Sequence, residues 1–237
     1  MFIPVRDANR LRFIGFQWVT VTIIAVNLVV FAFEFTPTGQ TVAASFALIP
    51  SELFRAGFST ASARGPFDAL VIPEIATLFT YSILHGDIIH IATNMMFLWV
   101  FGDNVEDALG HRRFAVFYIL CGVAAGLIHA LAVPSSKLPI IGASGAVSGV
   151  IGAYLLLYPN VRVWILALRI IPLNITAALC LGLWIASQIG MLLFAPPSRV
   201  AIWAHVGGFL VGALLVLVMR RPGVGLFEKT LPPPPVA

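Results

Sequence analysis

Six stretches of apolar residues, separated by polar connections or by connections rich in proline and glycine, set the pattern of this chain. A transmembrane α-helix needs about 20 mostly apolar residues to cross the hydrocarbon core of a bilayer. Segments of roughly that length lie at 17–35, 83–102, 113–132, 143–158, 174–194 and 200–219, and the fourth is the shortest. The pattern predicts an all-α membrane protein: a bundle of six transmembrane helices spanning residues 17–220.

The connection at 36–82 is long and mixed in character. Its prolines and glycines are interrupted by apolar clusters, among them Phe46, Leu48, Ile49 and Leu53. This mixture favours short helices half-sunk in the outer membrane interface over a soluble domain.

A second interfacial segment is predicted on the inner side. In the stretch 161–171, Arg162 and Arg169 flank apolar residues, and Pro172 ends the segment before the fifth span. We expect a short helix there. Residues 1–16 and 221–237 are expected to be tails.

Composition agrees with a membrane location. Of the 237 residues, 59% are hydrophobic and 10% are charged, and the mean hydropathy is +0.98. That leaves too little polar surface to coat a soluble globule of this size. The net charge of +4 comes without a basic run interleaved with aromatic residues, so no nucleic-acid partner is expected.

The fourteen lysines and arginines orient the chain. Cytoplasmic loops of membrane proteins carry an excess of these residues. With the N-terminus in the cytoplasm, ten fall inside and four outside. The inner set is Arg6, Arg10, Arg12, Arg112, Arg113, Arg162, Arg169, Arg220, Arg221 and Lys229, and the outer set is Arg55, Arg64, Lys137 and Arg199. Both termini are therefore predicted to be cytoplasmic.

Two polar residues stand among small residues in separate apolar segments. Ser144 opens the fourth segment, and His205 lies near the start of the sixth. The predicted topology places both in the outer part of the membrane, where polar groups are costly and usually mark function. Because a serine becomes a nucleophile when a base accepts its proton, we predict that Ser144 is a nucleophile and His205 its base.

The neighbouring glycines support this pairing. Gly142 leaves room for a substrate backbone to approach the Ser144 hydroxyl, and free N–H groups at a helix N-terminus can receive an oxyanion. Gly208 and Gly212 form a small-residue face that would bring the sixth helix against the glycine-rich fourth, and so His205 near Ser144.

Other interpretations stay open at this point. A buried serine in a membrane helix often bonds back to a carbonyl one turn earlier, and a lone histidine is often a satisfied core residue. Ser148, one turn below Ser144, is a rival nucleophile. Zinc bound by His85, His90 and His205 is disfavoured because the chain contains no H-E-x-x-H sequence.

The second segment carries a further polar pair. His90 and Asn94 are four residues apart and share a helical face. They are candidate donors to an oxyanion, with interhelical hydrogen bonding as the structural alternative. Asp87, at the start of this segment, is expected to be an N-cap rather than a third catalytic residue.

Together these residues resemble the rhomboid family of intramembrane serine proteases. The matching pieces, in chain order, are His85-Gly86-Asp87 with His90 and Asn94, residues 101–107 with Gly110 and His111, Gly142-Ala143-Ser144-Gly145, and Ala204-His205 with Gly207, Gly208 and Gly212. The resemblance implies a Ser144–His205 dyad in a six-helix rhomboid-like bundle. It also implies an oxyanion hole from the Ser144 amide, His90 and Asn94, and a mobile fifth helix that admits substrate sideways.

Two positions qualify the resemblance. Many relatives carry an aromatic residue four positions after the nucleophile, stacked on the histidine, and here that position is Ser148. Glu106 resembles the family's acid after the second span, and we assign it a structural hydrogen-bonding role at the inner end.

The function implied is an endopeptidase that cleaves transmembrane protein substrates in or near their membrane segments. It would work in the lipid bilayer, as a multi-pass protein of a bacterial plasma membrane, without a cofactor. The alternative is a catalytically silent rhomboid-like protein that binds membrane clients. A transporter is disfavoured because no internal repeat is present. The sequence indicates no oligomeric state.

Overall fold

Helices dominate the structure. A computed structural model of the chain describes residues 2–56, 69–70, 72–167, 170–194 and 201–228. The elements in chain order are β1 (Phe2–Asp7), α1 (Trp18–Glu34), α2 (Pro37–Ala44), α3 (Pro50–Ala56), α4 (Glu74–Thr80), a 3₁₀ turn (Tyr81–Ile83), α5 (Ile88–Leu109), α6 (His111–Ala132), α7 (Ser144–Leu157), β2 (Arg162–Ala167), β3 (Ile171–Thr176), α8 (Ala177–Phe194) and α9 (Ile202–Met219). Each of the six predicted apolar segments overlaps one of the helices α1, α5, α6, α7, α8 and α9, and α5 continues seven residues beyond its predicted segment at 83–102.

Three of the described helices, α6, α8 and α9, are long and apolar enough to cross a membrane by themselves. The number rises to five if two bent pairs each count as one span: α1 with α2, bent by 113°, and α4 and its 3₁₀ turn with α5, bent by 82°. Helix α7 has 14 residues, about 21 Å at 1.5 Å per residue, and is shorter than the ~30 Å hydrocarbon core. The chain is an integral membrane protein, and its six-span count stays a prediction.

Large apolar side chains point outward from these helices, as lipid-facing residues do. A soluble protein rarely exposes extended apolar surface. The most exposed include Val29, Ile88, Leu193, Leu214 and Val218. The outer surface of the bundle therefore fits an apolar solvent.

The all-α prediction is wrong at one end of the bundle. Strands β1, β2 and β3 form an antiparallel three-stranded sheet in that order. In β2, exposed Arg162 and Trp164 alternate with buried Val163 and Ile165. This alternation has the two-residue period of a half-buried strand. Of the stretch 161–171 expected to be an interfacial helix, Arg162–Ala167 is therefore extended instead, and residues 168 and 169 lie outside the described residues.

The two edge strands of the sheet, β1 and β3, also differ from what the sequence predicted. Pro172, expected to end that helix, lies in β3 opposite Leu166, and an edge strand tolerates a proline. Residues 2–7 of the predicted N-terminal tail form the other edge strand. Asp7 then accepts hydrogen bonds from the Tyr154 hydroxyl and from Asn104 Nδ2 at 3.1 Å, which ties this strand to α7 and α5.

Glu106 holds the start of α1 against the end of α5. Its fully buried carboxylate accepts the backbone N–H groups of Val19 and Thr20 at 2.9 and 2.8 Å and the Thr20 hydroxyl at 2.7 Å. His111 Nδ1 lies 2.5 Å from Glu106 Oε1, the oxygen that also accepts the Val19 N–H. This confirms the structural hydrogen-bonding role expected of Glu106.

The first loop contains short helices, as predicted, in α2, α3 and α4. Its residues 57–68 and 71 lie outside the described part of the chain, as do residues 229–237 of the expected C-terminal tail. Four of the cations used to orient the chain, Arg64, Arg169, Arg199 and Lys229, fall outside it too.

Candidate active site

Ser144 and His205 meet across the helices α7 and α9. Ser144 is the first residue of α7, and His205 lies in the first turn of α9. The distance between Ser144 Oγ and His205 Nε2 is 2.8 Å. A nucleophile and its base need a contact of about 2.6–3.2 Å, so this pair has the geometry for proton transfer.

Glycines allow the two helices to approach closely enough for this contact. A Cβ placed on Gly208 would lie 2.1 Å from the carbonyl oxygen of Gly145, and one placed on Gly212 would lie 2.1 Å from that of Gly149. Real Cβ atoms essentially never come this close to a neighbour. The predicted packing of the Gly208–Gly212 face on the fourth segment is therefore confirmed, and it sets Ser144 beside His205.

Gly142 brings His90 close to the pair. Its φ of +122° lies in a region that L side chains rarely adopt, and a Cβ there would be 2.6 Å from His90 Nε2. The same Cβ would be 3.8 Å from Ser144 Oγ. The absence of a side chain at Gly142 thus lets the His90 imidazole lie next to Ser144.

Asn94 follows His90 by one turn on the same face of α5. Its side chain is buried, and its Nδ2 has no hydrogen-bond partner among the described residues. A buried amide donor without a partner is costly. Its N–H groups are therefore available to an acceptor that enters the site.

The start of α7 contributes backbone donors. The first N–H groups of a helix have no partner within it, and the N-cap residue Ala143 makes no side-chain capping bond. The Gly142 N–H is already used, because it donates to the Tyr81 carbonyl at 2.9 Å. The Ser144 N–H, on the same residue as the hydroxyl, has no partner within the helix and is the candidate backbone donor.

Two residues considered as alternatives have other roles. Ser148 is fully buried and donates to the Ser144 carbonyl at 2.6 Å, the back-bonded arrangement common in membrane helices. Asp87 is the N-cap of α5 and accepts the His90 N–H at 2.8 Å, as predicted.

His85 lies just outside α5, which begins at Ile88. Its ring centroid is 5.1 Å from that of His90, and its Nε2 is 3.5 Å from the Ala143 backbone nitrogen. A mostly apolar cavity of about 1250 Å³ borders both histidines and reaches Glu34 in α1.

Two contacts between α8 and His205 were not predicted from the sequence. Gln188 Oε1 lies 2.7 Å from His205 Nδ1, and the Trp184 ring lies beside the imidazole, with centroids 6.0 Å apart at 39°. A lone amide in an otherwise apolar membrane helix was the available signal.

Comparison with known proteins fits this geometry. The family model described as Rhomboid domain matches residues 73–222. The chain belongs to the rhomboid family.

Similar proteins carry rhomboid names with different activities. "Rhomboid protease GluP" of Bacillus subtilis is 30% identical over 154 residues, 65% of this chain and 28% of its own length. "RHOMBOID-like protein 5" of Arabidopsis thaliana is 32% identical over 152 residues, 64% of this chain and 46% of its own. "Inactive rhomboid protein 1" of Drosophila melanogaster is 32% identical over 93 residues, 39% of this chain and 6% of its own. The chain matches less than half the length of each of these relatives.

Proposed function

We propose that this protein is an intramembrane serine endopeptidase that hydrolyses peptide bonds in or near the transmembrane segments of other membrane proteins. The observation that carries the proposal is the 2.8 Å contact between Ser144 Oγ and His205 Nε2 on two apolar helices. Polar groups at such positions are costly and usually serve function. No cofactor is required by this chemistry.

In the first step, Ser144 Oγ attacks the scissile carbonyl carbon while His205 Nε2 accepts the hydroxyl proton. The tetrahedral intermediate collapses as His205 returns this proton to the leaving amine, which forms an acyl-enzyme and frees one product. In the second step, water attacks the ester carbon with His205 again as base. Ser144 is then regenerated and the second product leaves with a new carboxyl group.

Charge develops on the carbonyl oxygen in both steps. The Ser144 backbone N–H, the His90 imidazole and the Asn94 amide are the proposed donors to this oxyanion. The unpaired buried Asn94 Nδ2 supports this role, since donors fixed in advance need no rearrangement during reaction. Gly142 supports the site by leaving space for His90.

The proposed architecture has six spans, with both termini in the cytoplasm of a bacterial cell and the dyad near the outer face of the plasma membrane. Helix α7 supports the relative placement, because Ser144 begins it and Tyr154, ten residues later, bonds Asp7 of the N-terminal strand. The N-terminal strand and the dyad therefore lie at opposite ends of one helix. Products released from the dyad would leave on the outer side.

A second candidate is a catalytically silent protein that binds membrane clients. The similarity to a relative named as inactive supports it. The hydrogen-bonded Ser144–His205 pair favours the protease.

The test is cleavage by the purified protein in liposomes that contain single-span membrane proteins. Candidate substrates come from comparing ectodomains shed by cells that express the wild-type chain or Ser144→Ala. Ser148→Ala is the matched control, because it removes a hydroxyl from the same helix, one turn after Ser144. We expect cleavage by the wild type and by Ser148→Ala, but none by Ser144→Ala. Equal cleavage by Ser144→Ala would refute the proposal.

A further inference from the structure

Helix α8 places two adjacent polar side chains, Ser187 and Gln188, in an otherwise apolar sequence. Gln188 is 6% exposed, and its Oε1 contacts His205 Nδ1 at 2.7 Å. Burying an amide in a membrane helix is costly unless its hydrogen bonds are made. The contact therefore calls for an explanation beyond packing.

The hydrogen bonds along α8 have a fixed direction. The Trp184 carbonyl oxygen can only accept, so the Ser187 hydroxyl donates to it, at 2.6 Å. The Ser187 oxygen then accepts from Gln188 Nε2 at 3.3 Å. This leaves Gln188 Oε1, which can only accept, facing His205.

The direction of this chain determines where the imidazole proton lies. Since Oε1 cannot donate, His205 Nδ1 must carry the hydrogen of the 2.7 Å contact. In a neutral ring the other nitrogen, Nε2, is then an acceptor, and Nε2 is the atom 2.8 Å from Ser144 Oγ. A reversed amide would place its N–H against Nδ1, put the proton on Nε2 and prevent Nε2 from acting as a base.

We propose that Gln188 is the positioning residue of the dyad, holding His205 in the tautomer and orientation in which Nε2 can take the Ser144 proton. The inference rests on the proposed function, in which His205 is the base. It also explains how His205 is held although Ser148 stands where many relatives have an aromatic residue stacked on the histidine. Orientation of His205 comes here from α8, through the Gln188 amide and the neighbouring Trp184 ring.

The dyad therefore depends on a third helix as well as on the α7–α9 packing. If α8 moves away from α9, His205 loses the acceptor that selects its tautomer. Proton transfer from Ser144 then becomes less frequent, although Ser144 and His205 are both still present.

The first test measures kcat and KM against pH for three variants in liposomes on one substrate. Gln188→Leu keeps the approximate size but removes the acceptor. Because general-base catalysis is worth about 10²–10⁴-fold, we expect kcat to fall about 10–10²-fold with KM nearly unchanged. Gln188→Glu keeps an acceptor and should retain kcat within a few fold. Ile189→Ala, on the exposed side of α8, is the matched control and should behave as wild type.

The pH profile separates positioning from packing. A carboxylate beside Nδ1 stabilises the imidazolium, so in Gln188→Glu the acid-side loss of activity should move to higher pH. His90 and His129 also interact electrostatically with His205, and both are unchanged in every variant. Wild-type kcat in Gln188→Leu, or equal losses in the Leu and Glu variants with no shift of the profile, would overturn the inference.

A spectroscopic readout separates this inference from the proposed function. Nitrogen-15 spectra of histidine-labelled protein distinguish protonated from unprotonated ring nitrogens, with His205 assigned by comparison with His205→Ala. The expected result is a protonated Nδ1 in wild type and a mixture of tautomers in Gln188→Leu. An unprotonated Nδ1 in wild type would refute the role of Gln188 even in an active enzyme. A protonated Nδ1 in an inactive protein would sustain it while the protease proposal failed.

Discussion

Substituting Gly208 by alanine should separate the dyad without touching either of its residues. The added Cβ would lie 2.1 Å from the Gly145 carbonyl oxygen, whereas ordinary van der Waals contact begins at 3.4 Å. The added Cβ and the Gly145 carbonyl oxygen are each fixed to the backbone of their helix. The helices α7 and α9 must therefore separate by more than 1 Å near the dyad. A shift of that size takes the 2.8 Å contact between Ser144 Oγ and His205 Nε2 beyond hydrogen-bond range.

The expected cost follows from that displacement. Misplacing a catalytic contact by about 1 Å can reduce turnover about 10²-fold, and overpacking a close interface typically costs about 1–3 kcal/mol of stability. Turnover is measured in liposomes, and stability by thermal unfolding in detergent. Gly190→Ala is the matched control, since a Cβ there meets nothing within 4 Å. Near-wild-type turnover and unfolding in Gly208→Ala would refute the packing argument.

Three further predictions use other parts of the molecule. Asn94→Ala should lower kcat by about 10²–10³-fold with little change in KM, the usual cost of one oxyanion donor; a change confined to KM would assign Asn94 to substrate binding. Burial raises the pKa of Asp7 from 3.8 to about 6, with partial opposition from its hydrogen bonds. The protonated Asp7 carboxyl therefore stabilises the fold fully below pH ~4. This stabilisation, at most about 3 kcal/mol, is lost as pH rises through about 6. Thermal unfolding should show this pH step in wild type and lose it in Asp7→Asn; an unchanged step would place its origin elsewhere. Ser135 and Gly15 are exposed positions on opposite predicted sides of the membrane. In a protein without Cys121 and Cys180, an impermeant thiol reagent added to intact cells should label Ser135→Cys and not Gly15→Cys; the reverse labelling would invert the topology.

The sequence was informative where function and packing leave a local pattern. Small residues around Ser144 and His205 marked both the site and the helix contact that forms it, because close approach of two backbones requires glycine at positions such as Gly208. Asp87 was recognisable as an N-cap for a similar reason, since capping depends only on residues within one turn.

Contacts set by tertiary packing were not predictable in the same way. Gln188 lies 17 positions before His205 on a different helix, and no spacing rule relates the two. The β2 strand was missed because a short apolar run fits a buried strand or an interfacial helix equally well. Its pairing partner, β1, lies about 160 residues earlier in the chain.

The most direct test of the central claim is covalent labelling of the purified protein by a fluorophosphonate, followed by mass spectrometry of the modified peptide. Only a serine activated by a base should react at an appreciable rate. We predict a single adduct on Ser144 in wild type, abolished in His205→Ala and retained in Ser148→Ala. An adduct on Ser148, or no adduct in a folded wild-type protein, would contradict the assignment of Ser144 and His205 as a catalytic pair.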